Sequence, residues 1–150
     1  MSQSVSITLA TTNDLAAIAE LMGELIDVLR TKEGINRQEL TKSLDKLYKT
    51  QNSYMFVAKK DGKVIGFAQF YTRQTALNPK TCATLDELVI AKEYRRQGIG
   101  KLLIEKVIDE CRKLDCFEVE ISTELANTIA RKFYKDCGFT EEAVLLEKHL

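Results

Sequence analysis

Two arginines, a glutamine and two glycines stand together in Arg95-Arg96-Gln97-Gly98-Ile99-Gly100. A buried-looking apolar run, Leu85 to Ile90, precedes them across the short polar turn Ala91-Lys92-Glu93-Tyr94, and a long amphipathic segment follows at once. Strand, glycine turn and helix in that order put several unpaired backbone N–H groups at a helix N-terminus. Glycine lets that backbone come close to a ligand, and the orphan donors with the positive end of the helix dipole favour a phosphate. Arg95, Arg96 and Lys101 add formal positive charge at the same place. A glycine-rich turn carrying solvated arginines has the same composition, and a short glycine pattern by itself discriminates poorly. The segment has neither the GxGxxG of a dinucleotide fold nor the GK[ST] of a nucleotide-triphosphate loop.

The chain that must position this turn has 150 residues, the length of one domain. Apolar residues make up 45 % of it, enough for a core, and 22 basic side chains balance 22 acidic ones. That balance gives no sequence-wide attraction to nucleic acid or to an anionic membrane. No apolar run approaches the roughly 18 residues of a membrane span, and Met1 to Thr8 is polar, without a secretory pattern. Neither nucleic acid nor membrane is therefore an expected partner, and the cytoplasm is the expected compartment. Cys82, Cys111, Cys116 and Cys137 show no CxxC spacing, and the one histidine, His149, lies next to the last residue. We expect no metal site, a surface histidine, and reduced, mostly buried thiols rather than a structural disulfide.

Periodicity supplies the elements. Val5, Ile7 and Leu9 alternate as in a strand. Thr11-Thr12-Asn13-Asp14 offers a capped helix start with Asp14 in a capping-box role, and apolar residues from Leu15 to Leu29 then recur at helical spacing up to about Arg30. Lys32-Glu33-Gly34 breaks that helix, and a weaker one fits Arg37 to Lys49. Tyr54 to Ala58 and Val64 to Tyr71 read as strands around an Asp61-Gly62 hairpin turn. Ala83 to Ile90 is apolar on both faces, as a central strand should be. Gly98 to Leu114 is helical, its buried stripe expected at Ile99, Leu102, Leu103, Val107, Ile108 and Cys111. Phe117 to Ile121 is a strand, Thr128 to Cys137 a short helix ended by Gly138, and Val144 to Leu150 a last strand. Hairpins in the first half and a strand–helix–strand crossover in the second imply an α/β (α+β) chain with a mixed central sheet and helices on both faces.

Arg95-x-x-Gly98-x-Gly100, after a strand and opening a helix, resembles the acetyl-CoA signature of the GNAT N-acetyltransferase superfamily. Asn127-x-x-Ala130-x-x-Phe133-Tyr134-x-x-x-Gly138-Phe139 is similar to that family's second motif, at the right distance downstream. The resemblance covers nearly the whole chain and is strongest from Leu85 to Phe139. It implies a GNAT-type acyl-CoA N-acyltransferase fold with about six to seven strands, a single N-acetyltransferase domain over residues 1–150, and acetyl-CoA as co-substrate.

Carried over residue by residue, the resemblance implies that backbone N–H groups of Arg96, Gln97, Gly98, Ile99, Gly100 and Lys101, beside Arg95, cradle the pyrophosphate. Leu88, Val89 and Ile90 pair with the pantetheine arm like an added strand, and one N–H there polarises the thioester carbonyl. Asn127 contacts the pantetheine, and Ala130 and Phe133 lie along the cofactor. Tyr134 matches the tyrosine near the cofactor sulfur and is the expected general acid; a packed tyrosine bonding its hydroxyl locally is the other reading. Glu87, just before the pantetheine segment, is the expected general base, with a pKa raised by partial burial; a pocket-shaping carboxylate paired with a basic neighbour is the alternative. Asp86 is expected on the opposite face of the strand if the pleat is regular.

In this family the acceptor sits opposite the CoA, which here points to Leu25 to Asp45, Tyr71 to Thr81 and Glu141 to Leu150. Asp27, Glu33, Arg30, Lys32, Arg37, Tyr71 and Arg73 stand there; carboxylates suit a cationic amine, and Arg30 or Arg73 suits an acidic group on the acceptor. The resemblance favours a small-molecule amine. A protein acceptor, at a lysine or an N-terminal amine, and a non-catalytic acetyl-CoA sensor stay open. Apolar Val144-Leu145-Leu146 at a sheet edge suggests a homodimer.

Overall fold

The computed structural model describes residues 4–29 and 36–150. The helix break at Lys32-Glu33-Gly34, the acceptor-side residues Arg30, Lys32 and Glu33, and the side chain of Asp27 lie outside the described residues. The chain divides into two compact units, residues 1–120 and 121–150.

The first unit runs β1 (Ser6–Leu9), α1 (Leu15–Leu29), α2 (Arg37–Tyr48), β2 (Ser53–Lys60), β3 (Lys63–Gln74), β4 (Thr81–Ile90), α3 (Ile99–Lys113) and β5 (Cys116–Ile121), whose last residue opens the second unit. Five strands form one sheet in sequence order. β1 through β4 pair antiparallel. β5 returns beside β4 after the α3 crossover, the connection a parallel neighbour requires. Thr81 touches Cys116 and Cys82 touches Glu118, so the two strands advance in the same direction. β4 lies inside the sheet, between β3 and β5, and among the described residues the sheet has five strands rather than about six to seven.

Local chemistry sets the boundaries. Asp61 and Gly62 both take positive φ, 53° and 76°, which is what a tight hairpin between β2 and β3 demands. Thr11 and Asp14 form a reciprocal capping box ahead of α1. The Asp14 carboxylate also meets Lys59 Nζ at 2.8 Å, tying that helix start to β2. Asn36 accepts from Glu39 N at 2.9 Å and opens α2 in the same way.

The sheet is apolar on both faces because it is covered on both. Ile18, Leu21 and Met22 of α1 and Leu40 and Leu44 of α2 bury Met55, Val57, Phe67 and Val89. On the other face, α3 contributes Ile99, Leu103, Ile104, Val107 and Cys111. There a Cβ on Gly66 would stand 2.9 Å from Ile90 Cδ1 and 3.2 Å from Leu103 Cδ1, so a side chain at this position would force those two tips to shift. The stripe of α3 differs from the expected one: Leu102 is 42 % exposed, Ile108 is half-buried, and Ile104 is buried instead. Three apolar residues in succession leave the phase of a 3.6-residue repeat open, and the packed face selects Leu103 and Ile104.

The second unit holds α4 (Thr128–Asp136), begun by Asn127, whose Oδ1 accepts from Ala130 N at 3.1 Å. Gly138, at φ 99°, ends it, and Phe139 N returns to Tyr134 O at 3.0 Å. The strand expected over Val144 to Leu150 is not formed; residues 139–150 carry no helix or strand. A strand needs a partner ladder, and this unit has no other strand among its described residues apart from the last residue of β5.

Candidate active site

The glycine turn is exposed from Arg95 to Gly98. One 3₁₀ turn, Lys92–Tyr94, carries the chain out of β4. Arg96 then takes φ 60° and Gly98 φ 80°. Two left-handed residues, two positions apart, curl the backbone so that successive N–H groups converge. Gly98 is the N-cap of α3, and the first intrahelical bond is Leu102 N to Gly98 O at 3.1 Å. Among the described residues no acceptor is recorded for any backbone N–H from Arg96 to Lys101. The turn is braced by side chains instead: Arg95 Nε donates to Ile90 O at 3.0 Å, and Gln97 Nε2 donates to Glu93 O at 3.1 Å. Unpaired amides, a helix N-terminus and the charges of Arg96 and Lys101 are the features that favour an anion.

β4 presents the neighbouring edge. Leu88, Val89 and Ile90 pair with Ala68, Phe67 and Gly66 of β3 on one side. On the other side runs β5, which has six residues against ten in β4 and begins beside Thr81. Leu88–Ile90 therefore lies past the end of β5.

A β-bulge sits at the centre of this strand. Gln69 faces Glu87 but the next residue, Phe70, faces Leu85, so Asp86 is the extra residue. Directly paired residues share a face, which puts Leu85 with Phe70 and Leu88 with Ala68 on the α3 side. Asp86 and Glu87, between them, both turn to the α1/α2 side. The expectation that Asp86 points away from Glu87 is thus overturned, because the pleat is interrupted at that residue. Burial, and then the nearby Asp86 carboxylate, push Glu87 up to about 7. Burial raises Asp86 as well. Among the described residues Glu87 has no ion pair with a basic side chain; Arg30 and Lys32 lie outside them.

Other groups read from the sequence are committed elsewhere. Arg73 holds Glu120 with contacts of 3.1 and 3.3 Å. Arg37 approaches Glu20 at 3.9 Å. Cys82, Glu118 and Glu120 have ligand atoms within 4.8 Å of one another, but the Arg73 guanidinium already neutralises Glu120 there. No disulfide joins the four cysteines; Cys82 and Cys111 are buried, Cys116 and Cys137 half-buried. Burial pushes Cys82 up to about 11 and Cys111 up to about 12, which keeps both thiols protonated and non-nucleophilic near neutrality.

Within the second unit the Phe133 and Tyr134 rings meet edge-on at 5.2 Å, and Tyr134 meets Phe139 edge-on at 5.9 Å. Asn127 uses its carbonyl oxygen for the cap and keeps its amide donors out of it. Glu142 bonds Arg131 at 2.9 Å and Lys135 at 3.4 Å, fastening the following segment to α4. His149 is exposed within this unit.

The profile of the Acetyltransferase (GNAT) family matches residues 22–139. The chain belongs to the GNAT family of N-acetyltransferases. The N-acetyltransferase YhfO of Bacillus subtilis (strain 168) is 26 % identical over 138 residues, 92 % of this chain and 91 % of that one. The [ribosomal protein bS18]-alanine N-acetyltransferase of Escherichia coli (strain K12) is 30 % identical over 89 residues, 59 % of this GNAT chain and 56 % of its own. The crystal structure of the aminoglycoside acetyltransferase meta-AAC0020 from an uncultured soil metagenomic sample, in complex with trehalose, superposes with a TM-score of 0.81 at 25 % identity, covering 97 % of this chain and 95 % of that one. No helix among the described residues is long and apolar enough to cross a membrane.

Sequence reasoning missed the bulge and the polar residues opposite it. A signal for one of them was present: Gln69 is the sole strongly polar residue in Val64-Ile65-Gly66-Phe67-Ala68-Gln69-Phe70-Tyr71.

Proposed function

We propose that this chain, as one N-acetyltransferase domain, moves an acetyl group from acetyl-CoA to the primary amine of a small molecule by direct attack on the thioester. The observation that carries this reading is the pairing of an unused amide cradle at Arg96–Lys101 with a carboxylate at Glu87 whose pKa stands near 7. The cradle suits the cofactor pyrophosphate, with Arg95 bracing the turn and Arg96 and Lys101 supplying charge. The open edge at Leu88, Val89 and Ile90 suits the amide-bearing pantetheine arm. Asn127, Ala130 and Phe133 are assigned to the cofactor on motif position.

Chemically, the amine arrives protonated, and Glu87 takes one proton to expose the nitrogen lone pair. A carboxyl poised near neutrality does this better than an ordinary glutamate, whose conjugate acid is too strong to be a useful base. The nitrogen attacks the acetyl carbonyl carbon, and the developing oxyanion is met by a backbone N–H of the β4 edge. Collapse breaks the C–S bond, and the departing thiolate takes a proton, a donation assigned to the Tyr134 phenol on motif position. The attacking nitrogen gives up its second proton, which restores the tyrosine, and Glu87 releases the first to solvent, so that amide, CoA thiol and one free proton balance the reaction.

The aminoglycoside acetyltransferase likeness supports a small-molecule acceptor. Likeness to the ribosomal-protein alanine acetyltransferase supports an N-terminal peptide amine as the second reading, over a shorter stretch of chain. Incubation of the pure protein with acetyl-CoA and a panel of small amines and peptides, followed by free-thiol release, tests both. Thiol release with peptides alone overturns the first reading. Release with neither sinks catalysis and leaves an acetyl-CoA-binding protein.

A further inference from the structure

The α1/α2 side of the sheet carries buried polar atoms that the fold itself does not satisfy. Gln69 Oε1 and Thr84 Oγ1 have no hydrogen-bond partner among the described residues. Gln69 is 1 % exposed and lies on β3 directly opposite Glu87. Its Nε2 donates to Ser53 Oγ at 3.2 Å, which fixes the amide plane and leaves the carbonyl oxygen unused. Thr84 faces Tyr71, which faces Ser53. Two adjacent cross-strand rows, Met55–Gln69–Glu87 and Ser53–Tyr71–Thr84, therefore share one face, with Asp86 turned onto it by the bulge.

A buried amide carbonyl without a donor is costly, and folded chains retain few of them. An apolar residue of Gln69's size would fit an all-apolar β3 at less cost, so the amide asks for a donor from outside the chain. Its surroundings say which kind. Asp86 and Glu87 make this face negative, which selects a cation. An alkylammonium offers three N–H donors in a tetrahedral fan, enough to meet a carboxylate and a neighbouring carbonyl at once.

We propose that Gln69 Oε1 anchors the acceptor ammonium beside Glu87, and that Thr84 Oγ1, one row further, pairs with a hydroxyl close to that amine. The acceptor class is then a hydroxylated primary amine. The inference rests on the acetyltransferase reading and adds the residues that hold the second substrate. Once Glu87 has removed one proton, the carbonyl of Gln69 retains another N–H and keeps the lone pair directed. Gln69 is thus a substrate-binding residue rather than a proton carrier.

The test compares the wild type with Gln69→Leu and Thr84→Val, both close in shape and lacking the polar atom. Thiol release is followed with 2-aminoethanol, glucosamine and kanamycin, and with ethylamine and cyclohexylamine as unhydroxylated counterparts. Expected for Gln69→Leu is a rise of about tenfold or more in KM for the amine, the usual scale for a lost hydrogen bond to a charged group, with KM for acetyl-CoA unchanged. Thr84→Val should erase the preference for hydroxylated amines and leave ethylamine unaffected. Thr84→Val should melt at or above the wild-type temperature, since it removes an unpaired buried atom, and Gln69→Leu, which also loses the bond to Ser53 Oγ, should melt no lower than Ser53→Ala. Unchanged amine KM in Gln69→Leu overturns the inference while the acetyltransferase reading stands. A melting temperature below these references in both variants assigns the two residues to the fold and overturns it too, without any need for turnover. If the wild type acetylates no amine of any kind, the functional reading fails and the inference goes with it.

Discussion

Asp86 and Glu87, adjacent in sequence, turn their carboxylates to the same side of the sheet. In a regular strand they would point to opposite faces. The bulge at Asp86 removes that alternation, and Glu87, already lifted by burial, is lifted further by the Asp86 carboxylate. An ordinary structural defect of a strand thereby tunes a proton acceptor.

A base must be ionised to work. With Glu87 near 7, kcat/KM should fall as pH drops through about 7. Glu87→Gln keeps the shape but cannot accept a proton, so turnover should drop by about two decades or more, the usual contribution of a general base. The acidic limb should disappear with it. A pH–rate profile of the variant that keeps both the rate and the limb would show that the proton leaves through water.

Asp86→Asn removes the like charge and leaves the burial. The acidic limb should then move to lower pH, while staying above the ordinary carboxylate value because burial is the larger cause. The maximal rate should change little. A limb that does not move would mean that the two carboxylates do not sense each other.

The same shift affects folding. The carboxyl of Glu87 binds its proton more tightly folded than unfolded, so its stabilising contribution is complete below the unfolded value of 4.5 and is lost as pH rises through about 7. Melting temperature should therefore decline across that window, by an amount on the order of 1–3 kcal/mol in stability. Glu87→Gln should abolish that part of the decline and melt higher at pH 8. Thermal unfolding from pH 4.5 to 8 checks the sign directly.

Gly98 stands at φ 80° with nothing within 4 Å of a built Cβ, so an added methyl meets no neighbour and suffers only backbone strain. Gly98→Ala should cost about 1–2 kcal/mol in stability for that reason. If the methyl also stands where a pyrophosphate approaches, the rise in melting temperature on adding acetyl-CoA should shrink. A full ligand-induced rise in Gly98→Ala would put the anion elsewhere.

Tyr134→Phe preserves the edge-on contacts with Phe133 and Phe139 and deletes the hydroxyl. We expect turnover to fall by about one to three decades, with acetyl-CoA affinity nearly unchanged in a titration. Unchanged turnover would remove the phenol from the mechanism.

How much of this was written in the sequence depends on the range of the interaction responsible. The Asp61-Gly62 hairpin, the Thr11–Asp14 box and the Gly98 helix start were legible because each is decided within a few residues. The two GNAT motifs were legible for the same reason. The bulge was not, since it is a property of β4 measured against β3 and no single strand announces its register. Leu102 and Ile104 exchanged places because either fits a helix face until a sheet is laid on it. The last strand failed on similar grounds: Val144-Leu145-Leu146 has strand composition, and composition cannot supply the partner. Gln69 was visible as an oddity in an apolar run, but its meaning appeared only with Glu87 across from it.

The brace on the glycine turn has a consequence for the rate of ligand capture. Arg95 and Gln97 hold the turn from its flanks through Ile90 O and Glu93 O, so its shape does not wait for an anion. The entropy of ordering the segment is spent when the protein folds, and little of it is left to oppose association. Capture then becomes a diffusional encounter steered by Arg96 and Lys101, faster at low ionic strength and slower at high. Added salt should lower the association rate constant far more than it raises the dissociation rate constant.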